Sequence, residues 1–181
     1  MGFKRRGGGD FATEMASIVP KLFSANEKYC VAHGIDPYQT FEEALAPPCT
    51  ESEIEALEAF LAQRLPPSYR AFLSVFGGWE GVPGCGGADL LGPAGHRDAH
   101  VRSTLSWKSD MFNEFEPRNP IALGALPLAI GDDRNMILLE PPMNSDGEMA
   151  VVKYYLTTEE GRFKNLLEYF EDQLRQHQND A

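Results

Sequence analysis

The chain predicts an α+β fold, with a central, mainly antiparallel sheet packed against helices. Three observations carry that reading. Apolar residues recur at helical spacing up to Phe76, short β-rich runs fill the stretch from 126 to 156, and an amphipathic helix closes the chain. Helices, then strands joined by short turns, then a helix is an α+β order. Regularly alternating strands and helices would give a doubly wound sheet instead.

The first helix is predicted by Phe11, Met15, Ile18, Val19, Leu22 and Phe23, which share one helical face. Pro20 should kink or restart it, because proline has no N–H to donate. Gly34 is the expected stop. Thr40 and Glu43 form a capping box for a short helix, and Pro47-Pro48 marks a boundary. Residues 1–9 are therefore expected to be a flexible tail, 10–48 a helical extension, 49–176 the main domain and 177–181 a second tail.

Thr50 and Glu53 form a second capping box ahead of Ile54, Leu57 and Leu61. Leu65-Pro66-Pro67 should stop that helix, and Pro67 can open the next, since the first helical turn has no N–H partner to lose. Tyr69, Phe72, Leu73 and Phe76 then make a buried stripe. Gly77-Gly78 should end it, because glycine accepts the left-handed conformation. A short strand is expected near 88–91, within glycine-rich turns. Val101, Leu105 and Phe112 suggest a helix between His96 and Phe115, with Pro117 as its latest stop. Leu126–Ile130 and 136–140 flank a hairpin-length connection. Residues 149–156, rich in β-branched and aromatic side chains, read as a third strand. Phe163, Leu166, Leu167, Phe170 and Leu174 mark the closing helix, where Glu171 and Arg175 can pair at i, i+4.

A length of 181 residues suits one domain, and a hydrophobic content of 43% supplies a core. The longest apolar stretches are far too short to cross a bilayer. The basic start is not followed by an apolar signal core, and Arg6 stands where a myristoylation motif needs Ser or Thr. Cys30, Cys49 and Cys85 are far apart and odd in number, so they outline neither a disulfide framework nor a zinc site. A reducing, cytoplasmic location is expected. The net charge of −11 argues against nucleic acid and anionic membranes as partners and permits a basic protein. An acidic surface that only maintains solubility is the plainer alternative.

The run from Thr50 through Leu57 and Glu58, then Leu65-Pro66-Pro67-Ser68-Tyr69-Arg70-Ala71-Phe72-Leu73 and Gly77-Gly78, resembles the signature of the SUKH superfamily, the Smi/Knr-type domain. The likeness continues through the paired strands of 126–139 and ends in the closing helix. Phe76 stands where the family often has Asn, and Arg134-Asn135 where its strand turn usually has glycine. The resemblance implies a SUKH-like fold and a protein-binding domain without enzymatic activity or cofactor. Many members are immunity proteins that occlude a toxin, often a nuclease or deaminase. Others resemble a yeast scaffold linked to cell-wall synthesis.

Catalytic and metal-binding readings are weaker. His96 and His100 would share a face on one helix, but zinc needs a third ligand and none is indicated. Asp132 and Asp133 as a carboxylate pair would point apart, being adjacent on an extended turn. Ser74 and Ser106 lack a nucleophile elbow. Gly84-Cys85-Gly86-Gly87 lacks the Lys and Ser/Thr of a phosphate loop. As partner-binding candidates, Trp79 and Glu80 follow the glycine pair, and Asp132 and Asp133 occupy the strand turn. Trp79 can equally cover the core. Trp107, with Met111 and Phe115, reads as core or extension packing.

Overall fold

The computed structural model describes residues 8–34, 40–82, 88–131 and 134–179. Its first element, α1 (Gly8–Ala32), continues through Pro20 as one helix, so the chain does not restart a helix there. Pro20 and Ala16, whose carbonyl loses its donor, both lie on the exposed face, so water can satisfy that carbonyl. On the other face Phe11, Met15, Ile18, Val19 and Leu22 join one buried cluster with Leu57, Phe72, Leu128 and Phe170. The N-terminal segment is thus a wall of the main core. Gly34, with φ +69°, follows the helix as expected.

Both capping boxes form, Thr40–Glu43 ahead of α2 (Phe41–Ala44) and Thr50–Glu53 ahead of α3 (Glu51–Leu61). α3 stops at Ala62, left-handed at φ 53°, and so ends before the Leu65-Pro66-Pro67 corner expected to stop it. Pro67 does open α4 (Pro67–Val75), which buries Tyr69, Phe72 and Leu73. The glycine pair serves a purpose other than the one expected. Phe76 already leaves the helix in extended conformation. Gly77 instead allows a close backbone crossing, since a Cβ there would lie 2.1 Å from the Pro47 carbonyl oxygen.

After β1 (Asp89–Leu90) come α5 (Pro93–Arg97) and α6 (Ala99–Phe115). Then follow β2 (Leu126–Ile130), β3 (Asn135–Glu140), β4 (Ala150–Tyr155), β5 (Thr158–Phe163) and α7 (Leu166–Asn179). Among the described residues the strands form one antiparallel sheet in the order β1-β2-β3-β4-β5. β1 pairs only with Ala129 and Ile130, so Pro127 has no outer neighbour that needs its N–H. β5 was not expected from the sequence. The main cluster lies on one sheet face, under α1, α3, α4 and α7. On the other face Met136, Leu138, Val152 and Tyr154 pack against Phe112 and Leu105 of α6. On α7, Arg175 pairs with Asp172 at 3.0 Å instead of with Glu171.

A polar knot ties the far end of the sheet to the helices. Ser68, in the first turn of α4, donates its N–H (2.8 Å) and its hydroxyl (2.6 Å) to the carboxylate of Glu148, in the β3–β4 loop. The Ser68 oxygen also accepts from Leu166 N–H at the start of α7. Both side chains are buried. Burial raises the Glu148 pKa, against the lowering effect of the Ser68 bonds. Ser68→Ala leaves a buried carboxylate short of a donor and an amide short of an acceptor. It should lower stability by roughly 1–3 kcal/mol in denaturant unfolding. A loss within error would mean that water replaces the hydroxyl.

Candidate functional site

The Trp79-Glu80 loop lies beside β1, at the end of the sheet where β2 finishes. The Trp79 N–H donates to Leu90 O at 3.0 Å, and Leu90 N–H returns a bond to Trp79 O at 2.7 Å. The Glu80 N–H donates to Ala44 O at 2.8 Å. Gly81 N–H is held by the Asp89 carboxylate at 2.9 Å, and Asp89 is paired with Ile130 at the end of β2. The segment carrying Glu80 therefore sits beside the strand that leads into the β2–β3 turn. Asp132 and Asp133 themselves lie outside the described residues. Beyond them, Arg134 O accepts from Leu156 N–H at 2.6 Å, which brings the β4–β5 turn to the same end. Glu80 and Asp89 are exposed there. Of the two readings of Trp79, the structure shows the core one. The side chain is 2% exposed, with ring centroids 5.9 Å from Phe170 and 6.5 Å from Phe23.

A second surface feature lies at the opposite end, and sequence reasoning missed it. Glu51, Glu55 and Glu58 of α3, Arg64, Pro67, Arg70, Met143 and Gly147 line an open cleft of about 420 Å³. Arg70 is clamped by Glu51 and by Glu58, the latter at 2.6 Å. Glu55 is exposed. The cleft joins α3 to a loop some ninety residues away, and only its glutamate spacing was visible in the sequence.

The two histidines do not share a helix. His96 lies in the last turn of α5, His100 in the first turn of α6, and Asp98 between them caps α6 by accepting from His100 and Val101 N–H. No group of three His, Cys, Asp or Glu side chains suited to a metal occurs among the described residues. His96 is 3% exposed. Tyr69 gives its one hydroxyl proton to Leu91 O, so its oxygen accepts from His96 Nε2–H at 2.8 Å. Nδ1 has no partner among the described residues. Burial first, and the Arg97 charge second, push the His96 pKa down to about 4.

That shift has a stability consequence. The folded state holds His96 neutral, whereas the unfolded chain takes up a proton below about 6.5. Stability from this group is complete above pH 6.5 and is lost as pH falls towards 4. A shift of that size corresponds to about 3 kcal/mol. The raised pKa of Glu148 acts in the opposite sense. The clean measurement is therefore a difference: wild type should lose about 3 kcal/mol more than His96→Gln between pH 6.5 and 4. Parallel stability curves for the two would remove His96 as the cause.

Nucleophilic chemistry finds little support in the geometry. Ser68 is bonded to a carboxylate but is sealed from solvent. Ser74 donates to its own helix, at Ala71 O. The arrangement offers charged, exposed turns on a rigid sheet, which suits binding. The family model for SMI1/KNR4 proteins (SUKH-1) matches residues 48–176. The chain belongs to the SMI1/KNR4 family. No curated protein matches it significantly. The family match covers the capped α3, the proline corner, the sheet and most of α7. It leaves out α1 and α2, although the SMI1/KNR4 core of this chain includes the apolar face of α1. The family is generally non-catalytic and is known for immunity proteins. No helix among the described residues is long and apolar enough to cross a membrane.

Proposed function

We propose that this chain is a cytoplasmic, non-catalytic immunity protein that binds and neutralises a cognate toxin, one with a basic surface. The observation that carries the reading is the family match over residues 48–176. The charge of −11 supports the sign of the partner, because toxins that act on nucleic acid present basic clefts. The contact would use acidic residues in loops: Glu80, which is exposed, and Asp132 and Asp133, which follow β2 in sequence. Trp79, next to Glu80 in the chain, is buried against Phe23 and Phe170. A cytoplasmic scaffold that recruits other proteins is the competing function.

Co-expression with each product of the genes adjoining that of this chain, screened for toxicity when expressed alone, tests the reading. Rescue of growth and a stoichiometric complex are expected, and continued killing by the toxin would reject it. Electrostatic attraction mainly sets the association rate, and screening at physiological salt has a length of about 8 Å. Reversing charge with Glu80→Lys, Asp132→Lys and Asp133→Lys together should slow association by about tenfold at low salt. Surface plasmon resonance at two salt concentrations reads this directly. A rate indifferent to both salt and reversal would exclude these turns as the steering surface.

A further inference from the structure

α6 covers one face of the sheet with Phe112 and Leu105, yet it leaves a second apolar strip uncovered. Trp107 is 45% exposed and Phe115 is 63% exposed, with half-buried Met111 between them. This corrects the packing role expected of the three. They are four residues apart, so they line one strip along the helix. Its far end continues towards the β4–β5 turn, where the Thr157 hydroxyl donates to Glu116 at 3.1 Å and Leu156 is itself partly exposed. Isolated apolar residues on a surface need no explanation, but a contiguous set containing Trp, Met and Phe marks an interaction site.

Along the helix the exposed charges that flank the strip are acidic, with Arg102 before it and Arg118 beyond its end both exposed. Asp110 and Glu114 are exposed beside Trp107 and Met111, and Glu116 follows Phe115. Lys108, the only basic residue from Ser103 to Glu116, is buried, with its ammonium 5.7 Å from the Trp107 ring. We infer that this strip is a docking surface for a protein whose contact face is apolar at its centre and ringed by Lys and Arg. A second copy fits badly, since two-fold pairing would set Asp110 and Glu114 of both copies against each other. The inference rests on the protein-binding reading above and adds a second contact surface, on α6, to the Glu80 turn.

The chain has two tryptophans, and Trp79 is buried, so acrylamide quenching reports mainly on Trp107. The probe is a synthetic amphipathic helix with a leucine face flanked by lysines, compared with the same peptide carrying glutamates instead. The lysine peptide should shift the emission to the blue and protect it from acrylamide, while the glutamate peptide should do neither. Phe115→Ser, which touches an exposed side chain, should weaken binding about tenfold with an unchanged circular dichroism spectrum. Asp110→Lys with Glu114→Lys should reverse the peptide preference. Three results would overturn the inference. One is protection by neither peptide or equally by both, and another is lysine-peptide binding that survives all these variants. The third is a self-associated chain, seen in sedimentation, that Phe115→Ser makes monomeric. Loss of the peptide effect together with intact growth rescue would reject this surface and leave the immunity reading standing.

Discussion

Trp79→Ala is expected to remove about 3–5 kcal/mol of stability, the range for truncating a buried large aromatic. The side chain lies between Phe23 of α1 and Phe170 of α7. Its backbone is fixed to β1 by reciprocal bonds with Leu90. Truncation therefore opens a cavity where an N-terminal helix, the sheet and the closing helix meet, and the bonded backbone cannot collapse to fill it. A domain stable by about 5–15 kcal/mol would lose a large share of its margin. Denaturant unfolding should show a lower midpoint with an unchanged slope. Folded protein that remains should release a bound partner no faster than wild type. A loss under about 1 kcal/mol with quicker dissociation would return Trp79 to the binding surface.

Much of the fold was legible because its signals are local. Capping boxes at Thr40 and Thr50 and the Pro67 helix start are written in three or four residues, and all three appear as expected. What escaped depends on partners distant in sequence. β5 reads Thr-Glu-Glu-Gly-Arg-Phe, a solvated edge strand with no apolar alternation to announce it. The turn before it uses Leu156 at φ 55° where Asn or Gly would have been recognised. Pro20 looked like a break because its exposure, which makes it tolerable, is a tertiary fact. The α6 strip was misassigned for a similar reason: spacing places Trp107, Met111 and Phe115 on one line but does not say whether anything covers that line. Trp79 was open for the same cause, and the alternative that held is settled by Phe23 and Phe170, residues far away in the chain.

The glycine positions separate two effects that sequence alone merges, and Gly92→Ala should be the most damaging glycine-to-alanine change among the described residues. A Cβ at Gly92 would stand 1.9 Å from the Gly77 carbonyl oxygen and 3.1 Å from its carbon. The Gly92 backbone is ordinary, with φ −88° and ψ −176°, so alanine would fit its conformation but not its space. Nor can Gly77 withdraw. Its N–H is held by Ala46 O at 2.9 Å, and Gly78 O accepts from Ala46 N–H at 3.1 Å. On its other side a Cβ would meet Pro47. Three backbone segments thus cross within contact distance, and all must move if one gains a methyl group. The expected loss is at or above the top of the overpacking range, about 3 kcal/mol. Gly81→Ala makes the opposite comparison. Gly81 is left-handed at φ +68°, with nothing within 4 Å of its Cβ position. That change meets only conformational strain, about 1–2 kcal/mol. Urea unfolding of both variants reads the contrast. If Gly92→Ala proved no worse than Gly81→Ala, the three segments could not be packed as tightly as the structure places them.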